Sequence, residues 1–309
     1  MRVSTCGVCH TELDEIEGRT PPPRFPVVPG HQVVGRVVAC GAGAVRFQPG
    51  QRVGVGWIHS ACGVCPLCRS GRENLCPAFR ATGRDVDGGY AELMRVGEDF
   101  AAPVPDSLSD LQAAPLLCAG AIGYRSLQLC NLRPGQRLGL MGFGASAHLV
   151  LPMALHLYPD CRIFAFSRSA GERAFARELG AEWSGGIEEQ PPERMEAIID
   201  TTPAWSPVLA ALRHLEPGGR LVVNAIRKED GDRSTLASLD YPTQLWLEKE
   251  VKSVANVTRA DIEATLLLAA AIPLRPEVTA FRLEDATRAL VELKQRKIRG
   301  AKVLDLARP

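Results

Sequence analysis

From Leu138 the chain reads L-G-L-M, then Gly142-Phe143-Gly144-Ala145-Ser146-Ala147, then an apolar stretch to about Leu157. A short apolar strand, a glycine turn and a helix in that order begin a strand–helix–strand unit. Further units follow. Arg162 to Phe166, Ala197 to Ile199 and Arg220 to Val223 read as strands, and Gly171 to Leu179 and Pro207 to Leu215 as helices. Alternation of this kind predicts parallel strands in an open, doubly wound sheet. The turn itself is G-x-G-x-x-A, at Gly142, Gly144 and Ala147. The first glycine permits the bend, the second lets backbone amides approach a pyrophosphate, and the helix N-terminus favours negative charge. The motif is weak alone, but here it follows a strand and opens a helix, the context it requires.

The residues before Leu108 have another character. Val27 to Val38 alternates and is rich in valine, Arg46 to Val55 carries a Pro-Gly turn, and Gly88 to Leu93 again looks like strand. Arg2 to Thr5 reads as the tail of a strand. The 29 glycines and 23 prolines suit this turn-rich β region. Helices are expected over Ser109 to Leu117 and Ala119 to Leu129. After the alternating part come a helix (Arg259 to Ala271), a strand (Glu277 to Phe281), a helix (Glu284 to Lys294) and a last strand (Lys302 to Asp305). The chain is therefore α/β plus β, and its 309 residues suit two domains.

Composition excludes some function classes. The net charge of +1 gives no electrostatic footprint for nucleic acid or an acidic membrane face. No apolar run reaches the ~18 residues of a membrane span. The N-terminus lacks the charged head and apolar core of a secretory signal. Ten cysteines without an export signal imply metal ligands and buried thiols in a reducing cytosol, hence a cytoplasmic location.

Four of those cysteines, Cys62, Cys65, Cys68 and Cys76, lie in C-G-V-C-P-L-C-R-S-G-R-E-N-L-C. Thiolates at this spacing can meet at tetrahedral points about 2.3 Å from one Zn²⁺, and with every corner taken by protein the metal would be structural. Two disulfides are the alternative and need an oxidising compartment. At the end of the second strand of the wound sheet, a carboxylate would bind the ribose 2′-hydroxyl of NAD. Ser167 and Arg168 stand there instead. A small hydroxyl followed by an arginine suits a 2′-phosphate, and so NADP(H) over NAD(H). Cys9, His31 and Cys118 suggest a second metal, though spacing alone does not join them.

The stretches C-G-V-C-H-T (Cys6–Thr11), P-G-H-Q-V-V-G (Pro29–Gly35), C-G-V-C-P-L-C…C (Cys62–Cys76), D-G-G-Y-A-E (Asp87–Glu92), L-L-C-A-G (Leu116–Gly120) and G-F-G-A-S-A (Gly142–Ala147) occur in one order along nearly the whole chain. In them the chain resembles the zinc-dependent alcohol dehydrogenases of the medium-chain dehydrogenase/reductase superfamily, and within these a propanol-preferring-like bacterial branch. The resemblance implies a GroES-like catalytic domain over 1–115, with the zinc lobe at 62–76. It also implies a Rossmann coenzyme domain over 116–255 and a return to the catalytic domain over 256–309.

By position, the resemblance implies that Cys9, His31 and Cys118 hold a catalytic zinc with a water or substrate oxygen in the fourth place. Thr11 would accept the alcohol proton, and Glu12 would orient the zinc-bound histidine. Trp57 would wall the substrate pocket beside Ile58. Ala145 and Ser146 would lie along the cofactor, Ser146 near the nicotinamide, and Arg299 would bind pyrophosphate. His148 reads as packing. Homodimers or homotetramers are the family's assemblies, with the strand near Lys252–Val254 as the contact.

Three departures stand out. The residues that normally precede the CGVCH stretch and form the opening strands are absent, which predicts an unpaired sheet edge unless the chain's real start lies upstream. The usual P-G-H-E is P-G-H-Q, so Gln32 removes a negative charge behind the zinc. The relay's usual terminal histidine is Asp14. The leading expectation is an NADP(H)-dependent zinc alcohol dehydrogenase or aldehyde reductase for small alcohols and aldehydes, with two zincs per chain. The alternatives are a zinc-free quinone or enoyl reductase of the same superfamily and a non-catalytic nucleotide-binding remnant.

Overall fold

The computed structural model describes residues 1–272, 274–295 and 300–307. In chain order the elements are β1 (Arg2–Val8), α1 (His10–Ile16), β2 (Val33–Arg36), β3 (Arg52–Val55), β4 (Ile58–Ser60), α2 (Pro66–Arg69), β5 (Arg80–Ala81) and β6 (Ala101–Pro103). Next come α3 (Asp110–Pro115), a π-type turn over Leu116–Gly120, α4 (Ala121–Cys130), β7 (Arg137–Met141), α5 (Ala147–Leu157), β8 (Arg162–Phe166) and α6 (Ala170–Glu178). Then follow β9 (Trp183–Gly185), β10 (Met195–Asp200), α7 (Ser206–His214), β11 (Leu215–Val223), α8 (Tyr241–Gln244) and β12 (Glu250–Ser253). The chain ends with α9 (Arg259–Ala271), β13 (Val278–Phe281), α10 (Ala286–Lys294) and β14 (Ala301–Asp305).

Two compact units result. The first is Met1–Ala121 with Asn256–Pro309, and the second is Ile122–Ala255. The expected boundary after residue 115 is too early. The turn that carries Cys118 packs inside the first unit, where Gly56 would meet the Leu117 carbonyl and Gly120 the Thr265 side chain if either bore a Cβ.

In the first unit, six described strands form one sheet in the order β13-β14-β1-β2-β3-β6. β1 is an interior strand, antiparallel to β14 on one side and to β2 on the other, with Cys6 facing Leu304 and Val33. Its residues from Thr5 to Val8 are all buried, as a strand with two neighbours and two covered faces requires. Val3, Cys6, Val33, Val55 and Met94 make one core cluster, and Val8, Leu13, Phe281, Leu290, Leu293 and Leu304 make another between α1 and α10. Each large side chain so buried stabilises by about 1.5–3 kcal/mol before entropy. The expected strand over Gly88 to Leu93 does not form; Gly88 lies against the Gly30 carbonyl, too close for a Cβ, and only an isolated bridge joins Leu93 to Arg2.

In the second unit, six described strands run in parallel in the order β12-β11-β10-β7-β8-β9. Their interiors are apolar without alternation, because helices cover both faces: Met141, Phe164, Phe166, Met195, Ile198 and Leu221 form one cluster. The strand order reverses between β7 and β10, the place where a sheet of this kind binds dinucleotides beyond its carboxyl ends. β9 and most of β12 escaped the sequence reading. They are short edge strands, and all four residues of β12 are exposed.

Candidate functional site

The four-cysteine lobe folds as its spacing predicts. Gly63 (φ +75°) takes a left-handed turn that a side chain would strain. Cys65 then caps the one-turn helix α2, its Sγ accepting from the Cys68 amide at 3.4 Å. Cys62 Sγ accepts from the Cys65 amide at 3.3 Å, and Cys76 Sγ from the amides of Cys62 and Ala78 at 3.4 Å. These amide contacts lower the Cys62 thiol to about 6, those of Val64 and Cys65 first. Burial and then Cys65 push Cys68 up to about 12. The sulfurs of Cys62 and Cys68 are 3.8 Å apart and those of Cys65 and Cys76 3.9 Å. A tetrahedron with metal–sulfur bonds of about 2.3 Å has edges of about 3.8 Å. All four cysteines are unoxidised, and their ligand atoms lie within 4.8 Å of one another. The donor set fits a zinc ion.

Cys9, His31 and Cys118, far apart in sequence, are brought together in the first unit with ligand atoms within 4.8 Å of one another. Cys9 precedes α1 at its N-terminus, where an extended backbone (φ −129°, ψ 165°) turns the chain off β1. His31 is buried on the segment entering β2. Cys118 sits in the π-type turn, a distortion common at functional sites. Glu12, fully buried, accepts from the Cys9 amide at 2.8 Å and from His31 Nδ1 at 2.5 Å. This leaves His31 Nε2 buried and, among the described residues, without a hydrogen-bond partner, available as a metal ligand. The Cys118 thiol, then His31, hold Cys9 well below the usual thiol range, whereas Cys9 and burial push Cys118 up. Burial alone would lower His31, but the charges of Glu12 and Cys9 raise it overall. Thus two half-buried thiols, one of them with its pKa lowered, stand beside a buried histidine oriented from behind. Two sulfurs and one imidazole fit a zinc ion with a free fourth position.

The other expected residues lie as follows. Thr11 is in the first turn of α1, its Oγ1 3.7 Å from Cys9 Sγ. Asp14 is buried on the same helix and accepts from Arg19 Nε at 2.5 Å, so its carboxylate is engaged in an ion pair. Gln32 is buried, its amide against the α-carbon of Gly7. Trp57 is half-buried with its ring 5.5 Å from that of Phe79. Arg299 lies outside the described residues.

Two acidic and basic residues escaped the sequence reading. Glu15, one turn beyond Glu12, is buried, and burial first and Glu12 second push its carboxyl up to about 8. The i, i+3 spacing of the two glutamates was its signal. The other is Arg173, described below.

In the second unit, Gly142 ends β7 in a left-handed conformation (φ +84°), and its α-carbon lies so close to Thr201 Oγ1 that a Cβ would stand 2.9 Å away. Only glycine fits. At Gly144 a Cβ would meet nothing within 4 Å, so the turn opens onto free space. Ala145 and Ser146 continue the turn, and α5 begins at Ala147. The glycine turn and helix N-terminus fit a pyrophosphate. His148 is buried, donates through Nδ1 to the Gly144 carbonyl at 3.2 Å and lies against Phe175.

Ser167 follows β8. Ser167 is buried, donates to the Glu172 carboxylate and accepts from the Ser169 amide at 3.1 Å. Arg168 is exposed. Arg173 donates to the carbonyls of Ser167 at 2.7 Å and Arg168 at 3.1 Å, which holds a second guanidinium at this corner.

Residues 1–106 match the family model described as alcohol dehydrogenase GroES-like domain. A protein of Mycobacterium tuberculosis named as a probable alcohol dehydrogenase is 42% identical, over 98% of this chain and 87% of its own length. An alcohol dehydrogenase of Geobacillus stearothermophilus is 33% identical, over 99% of this chain and 91% of its own. Among solved structures, a cinnamyl alcohol dehydrogenase of Sorghum bicolor superposes with a TM-score of 0.84 at 29% identity, covering 99% of this chain and 89% of that one. One from Helicobacter pylori, solved with NADP(H), superposes with a TM-score of 0.88 at 21% identity, over 99% and 90% of the two chains, a likeness of fold. A GroES-like unit, a wound parallel sheet and this length of shared sequence have one origin: the chain belongs to the medium-chain alcohol dehydrogenases, oxidoreductases that act on alcohols.

Proposed function

We propose that this alcohol dehydrogenase uses two zinc ions per chain, one structural in the Cys62–Cys76 lobe and one catalytic at Cys9, His31 and Cys118, and exchanges hydride between NADP(H) and small alcohols or aldehydes. The observation that carries the reading is the convergence of those three side chains with Glu12 behind the imidazole. A zinc ion bound there supplies Lewis acidity toward the alcohol oxygen. A nicotinamide cofactor, when bound, would supply the hydride acceptor or donor.

The residues of the chain do the rest. Glu12 fixes His31 with Nδ1 protonated, which leaves Nε2 as the donor to metal. Thr11, at the mouth of α1 beside Cys9, takes the hydroxyl proton of the substrate. Asp14 is tied to Arg19, so the proton would leave Thr11 toward water and not through Asp14. Trp57, half-buried, would give the pocket an apolar wall and favour small alcohols without further polar groups, whereas Ile58 is fully buried and lines no open surface. Gly142, Gly144, Ala145 and Ser146 receive the pyrophosphate and nicotinamide half. Arg168 and Arg173 meet the 2′-phosphate.

A second reading, NAD(H), has one observation in its favour: the Glu172 carboxylate sits beside Ser167, where it could accept from a ribose diol. Self-association would extend the wound sheet at β12, whose residues are all exposed. No described helix is long and apolar enough to cross a membrane.

Metal analysis paired with oxidation of NADPH and NADH by short aldehydes tests the whole reading. Two zincs per chain, turnover, and a preference for NADPH are expected. One zinc per chain with enoyl or quinone reduction would replace it with the zinc-free alternative.

A further inference from the structure

We propose that Lys228 is a positioning residue for the dinucleotide site, acting through Asp200 and Thr201 on the Gly142 turn. The inference rests on the reading that this turn holds the cofactor pyrophosphate.

The lysine side chain is 7% exposed and that of Asp200 fully buried. Lys228 Nζ donates to Asp200 Oδ2, to the Thr202 carbonyl at 2.7 Å and to the Ala204 carbonyl at 3.1 Å. Every ammonium proton is thereby used. Asp200 Oδ1 in turn accepts from the Thr202 amide at 3.0 Å and hydroxyl at 2.7 Å. Asp200 ends β10, and Lys228 lies in the segment after β11, so the pair ties together the two segments that leave adjacent carboxyl ends of the sheet. Two further contacts close the same seam: the Glu229 amide donates to the Pro203 carbonyl at 2.7 Å, and Asp232 accepts from the amides of Trp205 and Ser206 at the start of α7.

The segment so fixed braces the fingerprint. The Thr201 amide donates to the Met141 carbonyl at 2.9 Å, and its hydroxyl lies 3.2 Å from that carbonyl and 3.4 Å from the carbonyl of Gly142. Lys228 thus holds Asp200 and Thr202, and Thr201, the residue between them, is hydrogen-bonded to Met141 and the first glycine of the turn. A buried ion pair adds little net stability over an apolar pair of the same volume, but it is directional. Its effect here is to hold one loop in one place, against the turn that must present its amides to a phosphate.

The test compares Lys228→Met, Lys228→Arg and Thr201→Val with the wild type, and with Arg137→Gln. Arg137 pairs with Glu193 and Glu196 at the opposite, amino end of the sheet. Dissociation constants for NADPH and NADH are read by fluorescence titration, alongside melting temperature, KM and kcat. Lys228→Met is expected to weaken binding of the preferred nucleotide about tenfold, Thr201→Val to weaken it less, and Lys228→Arg to recover part of the loss. KM for the nucleotide should rise more than kcat falls. Arg137→Gln should lower the melting temperature and leave the dissociation constant unchanged, which separates positioning from general loosening. If Lys228→Met does not fold, Thr201→Val decides. Variants that bind within about twofold of the wild type overturn the inference and leave the site reading intact. A wild type that binds neither nucleotide overturns both.

Discussion

Glu12 shows how much one side chain can fix. One carboxylate oxygen holds the backbone of Cys9 and the other the ring of His31, so two of the three converging residues are set by the same group. Glu12→Gln offers an amide that can present a donor to His31 where an acceptor is needed. We expect zinc affinity at this site to fall about 10- to 100-fold, measured by competition with a chromogenic chelator, while the Cys62–Cys76 lobe keeps its metal. Unchanged retention of both ions would contradict the role given to Glu12. At the cofactor corner, Arg173→Ala and Arg168→Ala should each raise KM for NADPH about tenfold, the loss of one charge-assisted pair, and barely move KM for NADH. Steady-state kinetics with both nucleotides check this, and a larger effect on NADH would favour the Glu172 reading. Asp14 and Ser167 teach the opposite lesson. Their positions in sequence suggested a proton-relay member and a cofactor contact, and the structure engages them with Arg19 and Glu172.

At the scale of elements, the zinc lobe has little apolar core of its own; Val64 and Leu75 are exposed. Its shape depends on the four sulfurs. Cys65→Ser should release one zinc per chain and make the 62–76 segment the first site of proteolytic cleavage, seen by mass spectrometry after limited digestion. Helix α7 supplies a pH-dependent case. His214, at its end, is buried and stacked 5.4 Å from Phe166, and burial first, then Arg213, Arg194 and Lys249, lower its pKa to about 4. The folded state thus binds fewer protons than the unfolded state between pH 6.5 and about 4. Stability should fall as pH drops through that window, by on the order of 2–3 kcal/mol, and level off below it. His214→Gln should flatten the acid limb in denaturant melts taken across this range; an unchanged slope would remove His214 as its cause.

Across the molecule, both clusters that could hold a metal lie in the first unit and the glycine turn in the second. Under the proposed function, metal and nucleotide would bind native structure that the unfolded chain lacks, and each should stabilise by mass action. Prolonged chelation is expected to lower the melting temperature by several degrees, on the order of 2–3 kcal/mol of linkage, and restored zinc to reverse it. Scanning fluorimetry checks this, and a melting point indifferent to chelator would show that no metal had been bound.

Local patterns determined much of this protein. The turn at Gly142 and the lobe at Cys62–Cys76 were legible because each is specified by residues near one another in sequence: a glycine where only glycine fits and thiols at ligand spacing. Tertiary structure alone decided the rest. It set Cys9, His31 and Cys118 around one point, placed β1 inside its sheet, moved the boundary past Cys118, and buried Lys228 against Asp200. Such contacts join residues tens to hundreds of positions apart, and their partners are selected by sheet order and burial, which no local spacing encodes.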